Sequence, residues 1–526
     1  AMATSTTGST LLLPLSRAVQ LPVDQVNFVA CQVFALLAAI WFRIYLHSSK
    51  TSPLIRHVVA TLLGLYLALF CFGWYALHFI VQSGIAYYIM IAGRLENMHK
   101  FCFVFALGYL TLCQIARVYI FDYGQYSADF SGPMMIMTQK ITSLAFEIRD
   151  GIFCKEEELT PSQRRLAVRR MPSLLEYLSY NCNFMGILAG PLCSYKDYIA
   201  FIEGRSYQLK QFEANGKEDP KHEQKEPCPN SAVIHKVIVS AVSLAFYMTA
   251  TRILPVEYNI DEQFQETSSV LNRIIYLYLS LMAARPKYYF AWTLADAINN
   301  AAGFGFQGYD KNGEENWDLV SNLNIKQIEE PLGCSSSEYV RYLLYISLIL
   351  CSFYSLRVCY ERATYSATAK TFLLSAIWHG VYPGYYMTFF TGSLMTLAAR
   401  RIRNNARHHF LHSSELMFVY DVITWIATQV AISYTVAPFV LLSVKPSLQF
   451  YSFWYYCLHI ACILVLLAMP ARARKKGREE EKAPISQPVG HQRTEDNISE
   501  QNSHSTTNNN SNQREETAWR RPSAAQ

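Results

Sequence analysis

The sequence predicts an all-α polytopic integral membrane protein. Of its 526 residues, 51% are hydrophobic, 14% are aromatic and only 16% are charged, whereas an average soluble domain has roughly 25% charged residues. The charges fall in clusters, and the stretches between the clusters are apolar. Because a helix needs about 20 mainly apolar residues to cross the hydrocarbon core, this pattern predicts a bundle of membrane helices.

A series of apolar runs supplies the candidate helices. In chain order they are Phe28–Leu46, Val58–Phe72, Tyr75–Ala92, Phe101–Phe121, Phe184–Phe201, Ala232–Leu254, Ile274–Ala284, Tyr288–Ala302, Tyr339–Val358, Phe372–Ala399, Phe418–Val444 and Phe450–Met469. Several are too short or too polar to span alone and are candidates for broken or re-entrant segments. The sequence therefore predicts roughly nine to twelve membrane segments.

Basic residues orient the last runs. One cluster lies between Arg400 and Arg407 and another between Arg472 and Arg478, and the positive-inside rule places both in the cytosol. The two runs between them, joined by a KPSLQ turn, return the chain to the same side, which agrees with this placement. The same rule predicts that the run Phe372–Ala399 enters from the lumenal side and leaves at Arg400.

The sequence divides into an N-terminal segment, 1–19, a membrane domain, 20–471, and a tail, 472–526. The tail loses hydrophobic periodicity and is rich in Glu, Gln, Asn, Ser and Thr, so we expect it to be disordered and cytosolic. No long basic face alternates with stacking aromatic residues, so no nucleic-acid partner is predicted. Nothing in the sequence specifies an oligomeric state.

The 13 cysteines are scattered and form no CxxC pair or Cys/His ligand spacing. Most lie in apolar runs, where a thiol behaves as a small hydrophobic group. We therefore predict no metal site, no disulfide framework and no cofactor.

His379 is the leading candidate for chemistry. It lies in the stretch SAIWHGVYPGYY within an apolar run, and Pro383–Gly384 follows it closely. Irregular backbone at membrane depth is tolerated only against protein or a water-filled cavity, and a buried neutral imidazole is a common general base. These features fit either a base that lines a cavity or a structural histidine bonded to a neighbouring helix.

A second polar stretch, RPKYYFAWTLADAINN, places four residues on one helical face. Trp292, Asp296, Asn299 and Asn300 stand at i, i+4, i+7 and i+8, a spacing that brings side chains together. Such a face either lines a cavity or forms a hydrogen-bond network between helices.

These stretches resemble sequences of the membrane-bound O-acyltransferase family. WHGVYPGYY is similar to the family's signature, and several further blocks match in the same order. They are IFDYGQYSADFSGPMM, SLLEYLSYNCNFMGILAGPLCSY, RPKYYFAWTLADAINNAAGFGF, WDLVSN and RVCYER. Together they resemble the lysophospholipid acyltransferase branch, especially members that prefer lysophosphatidylethanolamine and lysophosphatidylserine, over roughly 23–469.

The resemblance implies transfer of a fatty acyl group from acyl-CoA, a co-substrate, to the free hydroxyl of a lysophospholipid. The fold would be a helix bundle with an internal tunnel, in the membrane of the endoplasmic reticulum. His379 matches the family's catalytic histidine. Trp378 and the polar face Trp292, Asp296, Asn299 and Asn300 are the candidate substrate-binding residues.

The sequence departs from the family at one place. Members carry an asparagine in a DNWN- or WN-like block, which should fall here between Ile328 and Arg357, but no asparagine occurs between Asn324 and Asn404. We therefore expect impaired activity in this chain. Two other classes remain open: an inactive lipid-binding form and a lipid transporter built on broken helices.

Overall fold

The computed structural model describes residues 6–121, 129–208, 226–309, 313–321, 367–410 and 412–470. Within these ranges the chain is almost entirely helical, which confirms the predicted all-α membrane class. The β-structure described is one short antiparallel pair, β1 (Gly308–Tyr309) and β2 (Glu315–Asn316). Residues Ala1–Arg472 form one compact unit. The predicted tail, 472–526, lies outside the described residues.

The first part of the unit is a row of helices. They are α1 (Leu13–Val19), α2 (Val23–Tyr45), α3 (Pro53–Phe72), α4 (Leu77–Ala92) and α5 (Met98–Ala116). The chain before α1 folds back on this row, because Ser9 donates its backbone N–H to the Phe70 carbonyl at 2.8 Å and accepts a hydrogen bond from the Asn27 amide at 2.8 Å. The N-terminal segment is thereby held against α2 and α3.

The next helices are interrupted by a buried loop. They are α6 (Ser131–Ile152), α7 (Pro161–Leu166), α8 (Leu174–Cys182) and α9 (Tyr195–Ile202). Thr160 and Ser173 close capping boxes at the starts of α7 and α8, which satisfy the free N–H groups there. The predicted run Phe184–Phe201 is mostly a buried loop followed by the short α9, so it is not a span.

A third group contains two long helices that pack against each other. It comprises α10 (Asn230–Ile253), α11 (Glu262–Thr267), α12 (Val270–Ala284) and α13 (Pro286–Ala301). Helix α10 packs along α13, which also packs on α2. The Ser240 hydroxyl of α10 donates to the Phe290 carbonyl of α13 at 3.0 Å, so a polar contact joins the two helices.

The last group is α14 (Ala367–His379), α15 (Pro383–Ala406), α16 (Ser414–Leu441), α17 (Val444–Phe453) and α18 (Cys457–Ala468). The KPSLQ segment lies inside α17, so the turn predicted there is wrong. The chain instead bends by 71° between α17 and α18. Arg401 donates to the carbonyls of Leu466 and Met469, which places the end of α18 beside the basic cluster, as the charge pattern predicted.

Helices α14 and α15 form a hairpin. The Arg400 guanidinium donates to the Thr368 hydroxyl at 2.8 Å, and the rings of Phe372 and Phe389 lie 6.4 Å apart. These pairs show that the two helices run antiparallel. The predicted crossing of Phe372–Ala399 from the lumenal side is therefore wrong: the run folds back on itself, and its two ends lie on the same side.

Five stretches of the described chain are helical, long and apolar enough to cross a membrane. They are Val23–Tyr45, Pro53–Ala92, Met98–Ile120, Asn230–Ile260 and Ser414–Leu441. The bent pair α17 and α18 makes up to six if it counts as one span.

The difference from the predicted number has local causes. Helices α12 and α13 have only 15 and 16 residues, fewer than a straight span needs. The stretch Pro53–Ala92 contains two predicted runs, Val58–Phe72 and Tyr75–Ala92. The hairpin of α14 and α15 divides the predicted run Phe372–Ala399 into two helices. The run Tyr339–Val358 lies outside the described residues.

Glu176 ties α8 to the basic segment before it. Its carboxylate accepts hydrogen bonds from the Ser173 backbone at 2.8 Å and from Arg170 at 2.6 Å. Burial alone would raise the pKa of Glu176, but these hydrogen bonds together hold that pKa below its ordinary value. The pairing therefore stabilises the fold above the carboxyl's unfolded-state pKa and is lost as the pH falls through the folded-state value.

We expect Glu176→Gln to lower the free energy of unfolding by up to about 1 kcal/mol at pH 7, because glutamine keeps the capping box but loses the charge that faces Arg170. The loss should shrink at an acidic pH below the carboxyl's lowered folded-state pKa, where the native carboxyl is itself protonated. Thermal unfolding of the solubilised protein at both pH values measures this. The exposed Glu157→Gln is the control, and an equal loss at both pH values for Glu176→Gln would contradict the assignment.

Candidate active site

His379 is the last residue of α14, at the closed end of the hairpin. Gly380 follows with a φ of 136°, a conformation that only glycine adopts readily. Helix α15 begins at Pro383, whose fixed φ and missing N–H suit the first turn of a helix. The helix break predicted from Pro383–Gly384 is therefore present, directly after the histidine.

The start of α15 is pressed against the end of α16. The Gly384 N–H donates to the Leu442 carbonyl at 2.8 Å, and a Cβ on Gly384 would lie 2.1 Å from the Pro438 carbonyl oxygen. Only glycine fits this approach. The contact carries Phe439, the residue after Pro438, to the side of His379.

Aromatic rings surround the imidazole of His379. The ring centroids of Trp378, Phe389, Phe439 and Tyr385 lie 4.7, 5.1, 5.1 and 5.7 Å from its own; we call these four the aromatic shell. The His379 side chain is half-buried, and its Nε2 has no hydrogen-bond partner among the described residues. Leaving a buried polar atom unpaired costs about 1–3 kcal/mol, so a ligand that supplies a hydroxyl would satisfy it.

Trp378 fixes the histidine from inside the bundle. Its side chain is 2% exposed, and its indole N–H donates to the Met135 carbonyl of α6 at 2.9 Å. The contact anchors the end of α14 to α6. The indole N–H is thus engaged within the protein, while the ring faces His379. The predicted contact of Trp378 with substrate stays a prediction.

Gln114 contacts the same turn, and the sequence analysis did not identify it as a site residue. It lies near the end of α5, is 4% exposed and donates from Nε2 to the Trp378 carbonyl at 3.2 Å. A signal was present, because Gln114 is an amide within the apolar run Phe101–Phe121. A buried amide in such a run must find a partner in another helix.

Two residues of the polar face of α13, Asp296 and Asn300, belong to a second cluster, centred on Lys236 of α10. Its ammonium nitrogen lies 2.6 Å from an Asp296 carboxylate oxygen and 2.9 Å from the Asn300 side-chain oxygen. It also lies 3.1 Å from both an Asp318 carboxylate oxygen and the Trp317 carbonyl. We call these five residues the lysine cluster.

Sequence reasoning missed Lys236 although it is an ionisable residue within the apolar run Ala232–Leu254. A charge at the bilayer centre costs about 2.5–3.5 kcal/mol on insertion scales, so an opposite charge should stand beside it. The lysine cluster supplies that charge between α10 and α13. This geometry corresponds to the interhelical network that was one of the two interpretations of Asp296 and Asn300.

The other two residues of the α13 face have different neighbours. The Asn299 amide donates to the Ala295 carbonyl of its own helix at 2.7 Å and to the Met185 carbonyl at 3.3 Å. The half-buried Trp292 ring lies 5.5 Å from the Tyr288 ring. The four predicted residues thus share a helix but face different partners.

The structure does not connect His379 and its aromatic shell directly with the lysine cluster. Within the described ranges, no hydrogen bond, ion pair or ring contact connects His379 to Trp292 or to the lysine cluster. Likewise, no group of three or more His, Cys, Asp or Glu residues in those ranges is arranged to hold a metal. The predicted absence of a cofactor stays a prediction, and the missing asparagine block, 328–357, lies outside the described residues.

Comparison with known proteins places this geometry in a family. The sequence pattern of MBOAT, the membrane-bound O-acyltransferase family, matches residues 115–441. The chain belongs to the membrane-bound O-acyltransferase family. It is therefore a multi-pass membrane acyltransferase, and the matched range contains His379 and its aromatic shell.

Three relatives show how far the similarity to this membrane-bound O-acyltransferase extends. It is 71% identical to "Membrane-bound glycerophospholipid O-acyltransferase 2" of Gallus gallus, over 99% of each chain. It is 52% identical to "Membrane-bound glycerophospholipid O-acyltransferase 1" of Mus musculus, over 90% of this chain and 95% of the relative. "Lysophospholipid acyltransferase 6" of Drosophila melanogaster is 39% identical over 90% of this chain and 64% of its own.

The lysine cluster gives a stability prediction. Lys236→Met leaves the Asp296 carboxylate buried without its cation, so we expect a loss of about 3–5 kcal/mol in the free energy of unfolding. The double variant Lys236→Met, Asp296→Leu removes both charges and should recover part of the loss. Thermal unfolding in detergent measures both, with the exposed Lys100→Met as control. A Lys236→Met protein as stable as that control would contradict the pairing.

Proposed function

We propose that the chain transfers a fatty acyl group from acyl-CoA to the free hydroxyl of a lysophospholipid. The observation that carries the proposal is the unpaired, buried Nε2 of His379 within the aromatic shell. A hydroxyl that enters this shell meets a nitrogen with no competing partner among the described residues. The printed names of the relatives, glycerophospholipid O-acyltransferase and lysophospholipid acyltransferase, support the same acceptor class.

The chemistry follows from an imidazole that accepts a proton. As the lysophospholipid hydroxyl oxygen attacks the thioester carbonyl carbon, its proton passes to the His379 imidazole. The new C–O bond forms an ester, the C–S bond breaks, and the leaving CoA thiolate takes the proton back from the imidazolium. Such general-base assistance contributes about 10²–10⁴-fold. The aromatic shell helps to keep water away, which suppresses competing hydrolysis of the thioester.

The hairpin supports access for acyl-CoA from the cytosol. Arg400 lies beside Thr368, near the start of α14, and the positive-inside rule assigns this basic side to the cytosol. From Thr368 to His379 the helix rises about 17 Å. We infer that the thioester reaches His379 from this side through an internal tunnel, while the lysophospholipid arrives laterally from the bilayer of the endoplasmic reticulum. Lysophosphatidylethanolamine, lysophosphatidylserine and lysophosphatidylcholine are the candidate acceptors.

One further candidate function follows from the sequence of this chain. Without the family's asparagine block at 328–357, an inactive form that still binds lipid is the alternative. The family resemblance implies that the block orients the substrate or stabilises charge that develops on the thioester carbonyl oxygen. Two experiments separate the possibilities.

We expect His379→Ala to lower acyl transfer from oleoyl-CoA to lysophosphatidylethanolamine by about 10²–10⁴-fold, because the base is removed. Product formation in membranes, normalised to the amount of folded protein, measures this. His459→Ala is the matched control. His459 is a half-buried histidine of α18 that bonds Thr391 and Tyr434. Its replacement by alanine should leave the rate nearly unchanged. Activity that survives His379→Ala would overturn the mechanism.

Replacing residues 328–357 with a segment that carries the Trp-Asn block should raise the rate by about 10²–10³-fold, the typical contribution of one donor at a developing oxyanion. The same assay compares the native and restored chains, and the restored chain with His379→Ala shows that the gain depends on the base. If the restored chain is no faster than the native chain, the explanation that the missing asparagine block impairs activity is wrong.

A further inference from the structure

Gln114 contacts the catalytic turn through a single interaction. Its Nε2 donates to the Trp378 carbonyl, and its side-chain Oε1 is buried without a partner among the described residues. A Cβ on Gly380 would lie 3.6 Å from both the Cδ and the Nε2 of Gln114. The carboxamide therefore flanks the backbone on either side of His379, and its only hydrogen bond in the described chain is to that backbone.

The bonded carbonyl needs an outside partner. The last four carbonyls of a helix have no intrahelical N–H to accept from, and Trp378 is the penultimate residue of α14. In a membrane no bulk water is present to replace the missing donor. Gln114 supplies that donor from α5, so it fixes the peptide plane that leads directly into His379.

The opposite side of the turn is fixed by other groups. The Trp378 indole is bonded to α6, and the N–H of Gly384 is bonded to the end of α16. Gln114 is the restraint from α5. Without it, the Trp378 carbonyl would lose its donor from α5, and the turn at Gly380, a residue that tolerates a wide range of φ and ψ, would lose one of its restraints.

We infer that Gln114 is a positioning residue for His379: its amide holds the Trp378 carbonyl and thereby sets the direction in which the imidazole meets the substrate hydroxyl. This inference rests on the proposed acyl transfer. Gln114 acts through the backbone, so its loss changes the rate of the chemical step more than the binding of either substrate.

The chain offers a matched control for a buried glutamine. Gln82 of α4 is 0% exposed, donates from Nε2 to the Ala106 carbonyl at 3.1 Å and to the Thr138 hydroxyl at 2.8 Å, and leaves its Oε1 unpaired among the described residues. It makes the same kind of interhelical bond as Gln114 but bonds no residue of the aromatic shell. Any general effect of losing a buried amide should therefore be seen at Gln82 as well.

The test measures kcat and KM for acyl transfer, with oleoyl-CoA and lysophosphatidylethanolamine varied separately. We expect Gln114→Leu to lower kcat by about 10–100-fold, the order of loss that a misplaced catalytic group causes, with each KM within about twofold of its starting value. Gln82→Leu should leave kcat per folded protein nearly unchanged. Gln114→Asn keeps the amide but shortens its reach. If Gln114→Leu is not recovered as folded protein, the kcat of Gln114→Asn tests the positioning role instead.

The outcomes separate this inference from the proposed function. All variants are made in the native chain and in the chain with the restored Trp-Asn block, and His379→Ala is measured beside them. If His379→Ala abolishes transfer while the Gln114 variants match Gln82→Leu, the positioning role is wrong and the proposed function stands. If His379→Ala transfers acyl groups as fast as its parent, the proposed function fails. A rise in KM with unchanged kcat at Gln114 would also overturn the positioning role.

Discussion

The site depends on one constraint: a helix that ends inside a membrane must satisfy the backbone groups it frees. In hydrocarbon each unsatisfied group costs several kcal/mol, and the break between His379 and Pro383 exposes such groups at both helix ends. The Trp378 carbonyl accepts from Gln114, and the Gly384 N–H donates to Leu442. Because these partners come from α5 and α16, the break holds separate parts of the bundle together around the imidazole.

The same requirement explains why the site is built from glycine and aromatic residues. Gly380 adopts a φ of 136°, and Gly384 lies too close to the Pro438 carbonyl for any side chain. The aromatic shell then fills the space around His379. The indole N–H of Trp378 is already bonded to Met135, and the His379 Nε2 has no partner among the described residues.

Much of the fold class followed from the sequence, because a low charge content and long apolar runs are direct consequences of a hydrocarbon solvent. The helix break was also predictable, since Pro383 and Gly384 act locally. The hairpin was not. The positive-inside rule fixes the side on which Arg400 lies, but it does not say whether an apolar run crosses the bilayer or turns back within it.

Side-chain partners were predicted less well than elements. The face of α13 was recognised from helical spacing, yet its decisive neighbour, Lys236, lies on another helix. Gln114 and Trp378 are separated by 264 positions in the sequence, so no local pattern joins them. Pairs of this kind form only when the whole bundle packs, and a single sequence contains no periodicity that marks them.

The hairpin of α14 and α15 also bears on how the protein is made. Its two ends lie on one side, so Lys370 and the arginines from Arg400 onwards never have to pass through the bilayer during insertion. The stretch 371–399, which forms the two arms and the tip of the hairpin, contains no Asp, Glu, Lys or Arg and is the part that must enter the hydrocarbon. The segment can therefore insert as a single unit from the side on which its charged ends lie. The position of His379 then also depends on α5 and α6, because Gln114 and Met135 of those helices bond the neighbouring Trp378.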